Sequence, residues 1–115
     1  MANPWRGEVE LSVDGVPRVM RLTLGALAGL EARLESGSLI ELIERFETGG
    51  FKVADLVALI AAGLNGGGWP IDEAELLRAR IDGGPLAAAQ AAARLLKLTF
   101  SVPEDGDALD AEGAK

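Results

Sequence analysis

The stretch Glu8-Val9-Glu10-Leu11-Ser12-Val13 constrains the fold most. Its polar and apolar side chains alternate strictly, the period-two pattern of a half-buried strand. Asp14-Gly15 follows at once, a dipeptide favoured where a two-residue turn needs positive φ at both positions. A return strand from Val16 to about Thr23 then sets Val13 opposite Val16, Val9 opposite Met20 and Glu8 opposite Arg21. In that register Val9, Leu11, Val13, Val16, Met20 and Leu22 share one face, while Glu8 and Arg21 meet on the wet one. Arg18 is the misfit among the apolar side chains. An isolated hairpin is marginal in water, so this face must rest on other elements. Each strand also leaves an outer edge that a partner can extend.

Beyond Thr23 the apolar period changes from two to that of a helix. Thr23 can cap a helix over 24–35, with Leu24, Leu27, Leu30 and Leu34 on one stripe and Gly37 as its stop. Ser38 with Glu41 reads as a capping box opening a short helix with Leu39, Leu42, Ile43 and Phe46 inward, ended by Gly49-Gly50. A helix over 52–64 carries Val53, Leu56, Val57, Ile60 and Leu64 at core spacing, and Gly66-Gly67-Gly68 breaks it. Asp72 with Glu75 is a second box, opening a helix to about Ile81. Pro85 then starts a last helix over 85–99, whose alanines allow close approach and are expected to make it central. The fold class is therefore α+β, mostly α: an N-terminal β-hairpin packed on a compact bundle of about five short helices. Residues 1–101 form one globular domain, with the hairpin over 8–23 and helices over 24–101. Residues 102–115 hold five acidic side chains and no apolar period, the composition of a disordered tail.

The residue types present exclude much chemistry. The 115 residues include no cysteine and no histidine, so thiolate sites, disulfides and imidazole proton transfer are all missing. None of Ser12, Ser36, Ser38 or Ser101 sits in a nucleophile motif. Gly66-Gly67-Gly68-Trp69-Pro70 ends a helix where a phosphate loop would begin one, and no lysine follows it. Glu41, Glu44 and Glu47 line one helix edge without a histidine or a second carboxylate helix to complete a metal site, so they read as a solvated face beside Arg45. Asp105, Asp107 and Asp110 lack the glycine and glutamate of a calcium loop. No catalytic, metal or cofactor residues are expected, and the chain is not expected to be an enzyme. A net charge of −7 with eleven scattered basic residues argues against nucleic acid. No apolar run has the length of a membrane span, and the N-terminus lacks the layout of a signal peptide. A cytoplasmic location is the expectation, with association with a particle left open.

Function is then a matter of surface. Trp5 lies in a polar arm, NPWRGE, ahead of the hairpin. Phe51 follows Gly49-Gly50, and Trp69 follows the glycine triplet. These three are the candidate protein-contact residues, since aromatic side chains outside a periodic core are common interface anchors. For each of the three the alternative is an anchor back onto the core.

The segments NPW-RGEVELSVDG, LTLGALAGLE, ERFE, VADLVALIAAGLNGGGW and GGPLAAAQAAARLL resemble the small tail-gene protein of bacterial gene transfer agents and related siphophages. The resemblance covers about residues 3–103. It implies a phage tail assembly chaperone, encoded between the major tail tube protein and the tape measure protein, that coats the tape measure protein until tube subunits polymerise. Some descriptions of the family instead imply a structural tail tube component. The tape measure protein and the major tail tube protein are thus the implied partners, with a homo-oligomer left open. The resemblance brings no catalytic residues and no cofactor.

Overall fold

The computed structural model describes residues 2–34 and 38–100. The expected stop at Gly37 and the expected tail over 102–115 lie outside these residues. The elements run β1 (Val9–Val13), β2 (Val16–Met20), α1 (Leu24–Arg33), α2 (Leu39–Thr48), α3 (Val53–Gly66), α4 (Glu73–Arg78) and α5 (Gly84–Phe100), preceded by a single 3₁₀ turn over Pro4–Arg6. This is the expected α+β, mostly α arrangement of one N-terminal hairpin and five helices.

The hairpin pairs antiparallel in the expected register, Val9 with Met20 and Val13 with Val16. Asp14 and Gly15 take φ of 52° and 79°, as a type I′ turn requires. Val9, Leu11, Val13, Met20 and Leu22 are buried, whereas Val16 at the turn end is 44% exposed and does not seal the core. Arg21 reaches Glu8 at 3.9 Å on the wet face.

Both outer edges of the hairpin are occupied along part of their length, contrary to the expectation of open edges. Beside β1, Asp14 N–H donates to the Arg80 carbonyl at 2.7 Å and Asp82 N–H to the Ser12 carbonyl at 3.2 Å, and Val13 bridges to Ile81. The Asp14 carboxylate also accepts from Arg80 N–H at 2.8 Å. The segment expected to continue a helix to Ile81 leaves it after Arg78 and runs extended along β1 instead, because pairing there satisfies backbone groups that a longer helix would leave facing the sheet edge. Beside β2, Arg21 N–H donates to the Gly63 carbonyl at 2.9 Å, and the glycine-rich end of α3 abuts the strand. A Cβ on Gly66 or Gly67 would overlap the carbonyl oxygen of Arg21 or Val19. The glycines at 66 and 67 therefore permit helix and strand to meet backbone to backbone, beyond ending the helix.

Helix starts follow the expected caps. The Thr23 and Ser38 hydroxyls accept from Ala26 N–H at 3.0 Å and Glu41 N–H at 3.2 Å. Asp72 and Glu75 exchange both bonds of a capping box. Gly49 closes α2 at φ 83°. The central helix is α3, not α5: it packs against α1, β2, α4 and α5. Ala58, Leu59, Ile60, Ala61 and Leu64 bury several of its faces, as an all-round apolar helix must. Helix α5 buries one stripe, Ala88, Ala92, Leu95 and Leu96, and keeps Gln90, Arg94 and Lys97 exposed. Leu24 and Val53, read as core from their spacing, are 86% and 71% exposed because each begins a helix beyond the packed region. No single helix among the described residues is long and apolar enough to cross a membrane.

Candidate protein-binding groove

Helix α2 repeats apolar residues at helical spacing, but only Leu42 is fully covered. Ile43 and Phe46 stay half-buried and, with Glu47, form one wall of a groove against α5. The other wall is Ala93, Leu96, Lys97 and Phe100, and the groove encloses about 430 Å³. Ala93 keeps the floor low where a larger side chain would fill it, and Phe100 stands 42% exposed at one end. The result is an apolar channel with a carboxylate on one rim and an ammonium on the other.

Phe51 supports the α2 wall. Its ring stacks on Phe46 with centroids 4.5 Å apart and planes 5° from parallel. A buried ion pair fixes the same corner. Arg45 grips Asp55 with two parallel bonds, Nε to Oδ2 at 2.9 Å and an Nη to Oδ1 at 3.1 Å, the bidentate geometry that best holds a guanidinium. Asp55 Oδ2 also accepts Lys52 N–H at 2.9 Å, capping α3. Burial alone would push the Asp55 carboxyl up. The Lys52 N–H bond and the Arg45 bonds and charge outweigh it and hold the group below the usual carboxylate range. Arg45 thus reaches Asp55 on α3 while still lining the surface that Glu41, Glu44 and Glu47 share, beside the solvated edge where the sequence places it.

The three aromatic candidates are not brought together into one site. Trp5 is 96% exposed. It does not ride on a loose arm: Asn3 Oδ1 accepts Trp5 N–H at 3.0 Å and Asn3 N–H donates to Glu8 Oε1 at 2.9 Å. Trp69 is half-buried against the core, and the Arg18 guanidinium lies 3.9 Å from its ring centroid. The misfit of the hairpin and the tryptophan after the glycines therefore account for each other by a cation–π contact. Arg18 Nε is buried with no acceptor among the described residues, so the ring face is its main compensation. Trp69→Ala is expected to lower stability by about 2 kcal/mol, and Trp5→Ala to change it by less than about 0.5 kcal/mol, in thermal unfolding of dilute protein. Equal losses would contradict the burial difference.

Residues 6–102 match the profile of a family described as phage tail tube protein, GTA-gp10. The chain belongs to that family. No match was found among curated proteins or among solved structures. The match takes in the hairpin, helices α1 to α5 and both walls of the groove, and begins just after Trp5, so the matched fold is that of a phage or gene-transfer-agent tail protein. The groove itself escaped the sequence reading. Ile43, Phe46, Leu96 and Phe100 each look like core on their own helix, and only the shallow packing of α2 on α5 leaves them open.

Proposed function

We propose that the chain helps to build a phage-type tail without catalysis, by holding an apolar helical segment of another tail protein in the α2–α5 groove. The tape measure protein, which the sequence resemblance implies as partner, supplies that segment. The groove is the observation that carries the reading. The span from Ala93 to Phe100 is about 10 Å of helix at the usual rise, room for about two turns of a guest helix laid alongside. Glu47 and Lys97 on opposite rims give such a guest a preferred direction. Such a groove suits an assembly chaperone, which binds and then lets go.

The family description favours a second reading, a tube component kept in the particle. Subunits joined strand to strand need an open sheet edge, and in this chain the hairpin is engaged at Ser12 and Asp14 on one side and at Arg21, just past β2, on the other. That supports the chaperone over the tube subunit. Quantitative proteomics of purified particles separates them: near absence of the chain fits a chaperone, abundance matching the tube protein fits a subunit. Mixing purified chain and tape measure protein tests the groove directly. A complex is expected at micromolar concentration, weakened at least about tenfold by Ala93→Glu or Phe100→Ser. No complex, or one indifferent to both changes, refutes the groove as the docking site.

A further inference from the structure

We infer that Asn65–Gly66 is a self-modification site: when the last turn of α3 opens, the Asn65 side chain is captured by the Gly66 nitrogen, loses its amide, and the turn cannot close again.

The fold forces this pair of residues together. A Cβ at position 66 would overlap the Arg21 carbonyl oxygen, so glycine is required there. Asn65 answers a separate demand. Its Nδ2 donates to the Ala61 carbonyl at 2.8 Å and to the Ile71 carbonyl at 3.0 Å. Those bonds use both amide hydrogens and pin the loop after α3 to the helix. Asparagine before glycine is also the pairing with the easiest chemistry, since glycine has no Cβ to keep its nitrogen from the neighbouring side chain.

The reaction needs only water. The Gly66 nitrogen attacks Asn65 Cγ and the new C–N bond closes a cyclic imide. The Cγ–Nδ2 bond breaks, and the amide leaves as ammonia with the proton from Gly66 N–H. Water then opens the imide to aspartate or isoaspartate. In the folded chain α3 runs through Gly66, and ring closure requires Asn65 to leave the helical ψ. The bonds to Ala61 and Ile71 hold the amide away as well. Burial gives no protection: Asn65 is exposed, so water is at hand as soon as the turn opens. That opening is local. It is opposed by the Trp69 N–H bond to the Leu64 carbonyl at 2.9 Å and by the contact of the Trp69 ring with Arg18.

The product does not fit. Aspartate at 65 sets a carboxylate against the Ala61 and Ile71 carbonyls, acceptor against acceptor, at the negative end of the α3 dipole. Isoaspartate adds a backbone carbon beside two glycines already pressed on the carbonyls of Arg21 and Val19. The step is one-way, and it removes chains whose α3 end has spent time open.

The test is incubation in mildly alkaline buffer, with and without urea, read by anion exchange and by peptide mass spectrometry. Asn3, the other asparagine, precedes proline, whose nitrogen has no hydrogen to give up. The acidic form at residue 65 is expected to accumulate at least about tenfold faster in urea than in buffer, and in buffer at least about tenfold faster in Trp69→Ala, folded by circular dichroism, than in the parent chain. Equal rates with and without urea, or a folded Trp69→Ala no faster than the parent, overturn the inference. Asn65→Gln keeps an amide but sets it one carbon too far for the same ring, and should gain no acidic form in urea. Acid gained as fast as in the parent would place the chemistry elsewhere and overturn it too. Asn65→Asp is expected to melt below the parent, and equal melting would refute the one-way step.

Discussion

Replacing Gly66 with alanine is expected to destabilise the protein by about 3 kcal/mol, lowering the melting temperature by roughly 10–20 °C. The direction is the informative part, since glycine to alanine in a helix ordinarily gains up to about 1 kcal/mol. Gly66 ends α3 against β2, and an added methyl would overlap the Arg21 carbonyl oxygen, with the Arg21 carbonyl carbon 3.0 Å and Ala26 Cβ 3.4 Å away. The neighbours it meets first are backbone. Arg21 is itself tied to α3 through its N–H bond to Gly63, so neither partner can swing aside as a side chain would. Gly67 is in the same position against Val19. In place of methyl groups, glycine hydrogens face the outward carbonyls of β2, weak partners that a larger residue removes. Gly29 in the middle of α1 provides the control: nothing lies within 4 Å of a Cβ built there. Gly29→Ala is expected to stabilise by about 0.5–1 kcal/mol. Chemical denaturation of the two variants side by side checks the pair, and similar effects from both would mean that α3 and β2 do not meet as closely as described.

These glycines show where the sequence stops being readable. The triplet Gly66-Gly67-Gly68 signals a helix end to any local reading, and α3 does end there. That two of its members sit against a strand more than forty residues earlier in the chain is a tertiary fact with no local signature. The hairpin was legible because alternation, turn dipeptide and register are encoded within a dozen residues. Helix starts were legible for the same reason, a cap and its acceptor being three residues apart. The alanines of α5 suggest centrality, yet the hub is α3. The better sign was α3 itself, where Ala54-Asp55-Leu56 through Leu64 leaves no continuous polar face. The end of α4 was misread because Leu77-Arg78-Ala79-Arg80 is good helical sequence, overridden by pairing with β1. Of the candidate contact residues, exposure distinguishes Trp5 from Trp69 only after Arg18 is seen to cover the latter. The groove needed the spacing of two helices, a quantity that neither helix carries alone.

Asp55→Ala is expected to lower stability by about 3 kcal/mol and to weaken partner binding with it. Asp55 is 7% exposed and is the buried charged residue of the core. Removing it takes the acceptors of both Arg45 bonds and of the Lys52 N–H at once. Breaking a buried pair from one side costs about 3–5 kcal/mol, and the lower end applies because the Arg45 side chain keeps 25% of its surface in water and regains some hydration. The pair ties α2, whose Ile43 and Phe46 line the groove, to the start of α3, so its loss is expected to reach binding through position. Asp55→Asn keeps the shape and one acceptor and should lose less, about 1–2 kcal/mol. Acid separates charge from shape. The folded carboxyl titrates below its ordinary value, so the unfolded chain takes up this proton first, near pH 4. The stabilisation from ionised Asp55 is therefore complete above roughly pH 5 and is lost as pH falls through the folded value. Urea unfolding at descending pH should show the advantage of the parent chain over Asp55→Asn shrinking below about pH 4. A gap that stays constant through the acid limb would falsify the ionised pair as its source and leave only the packing of the side chain.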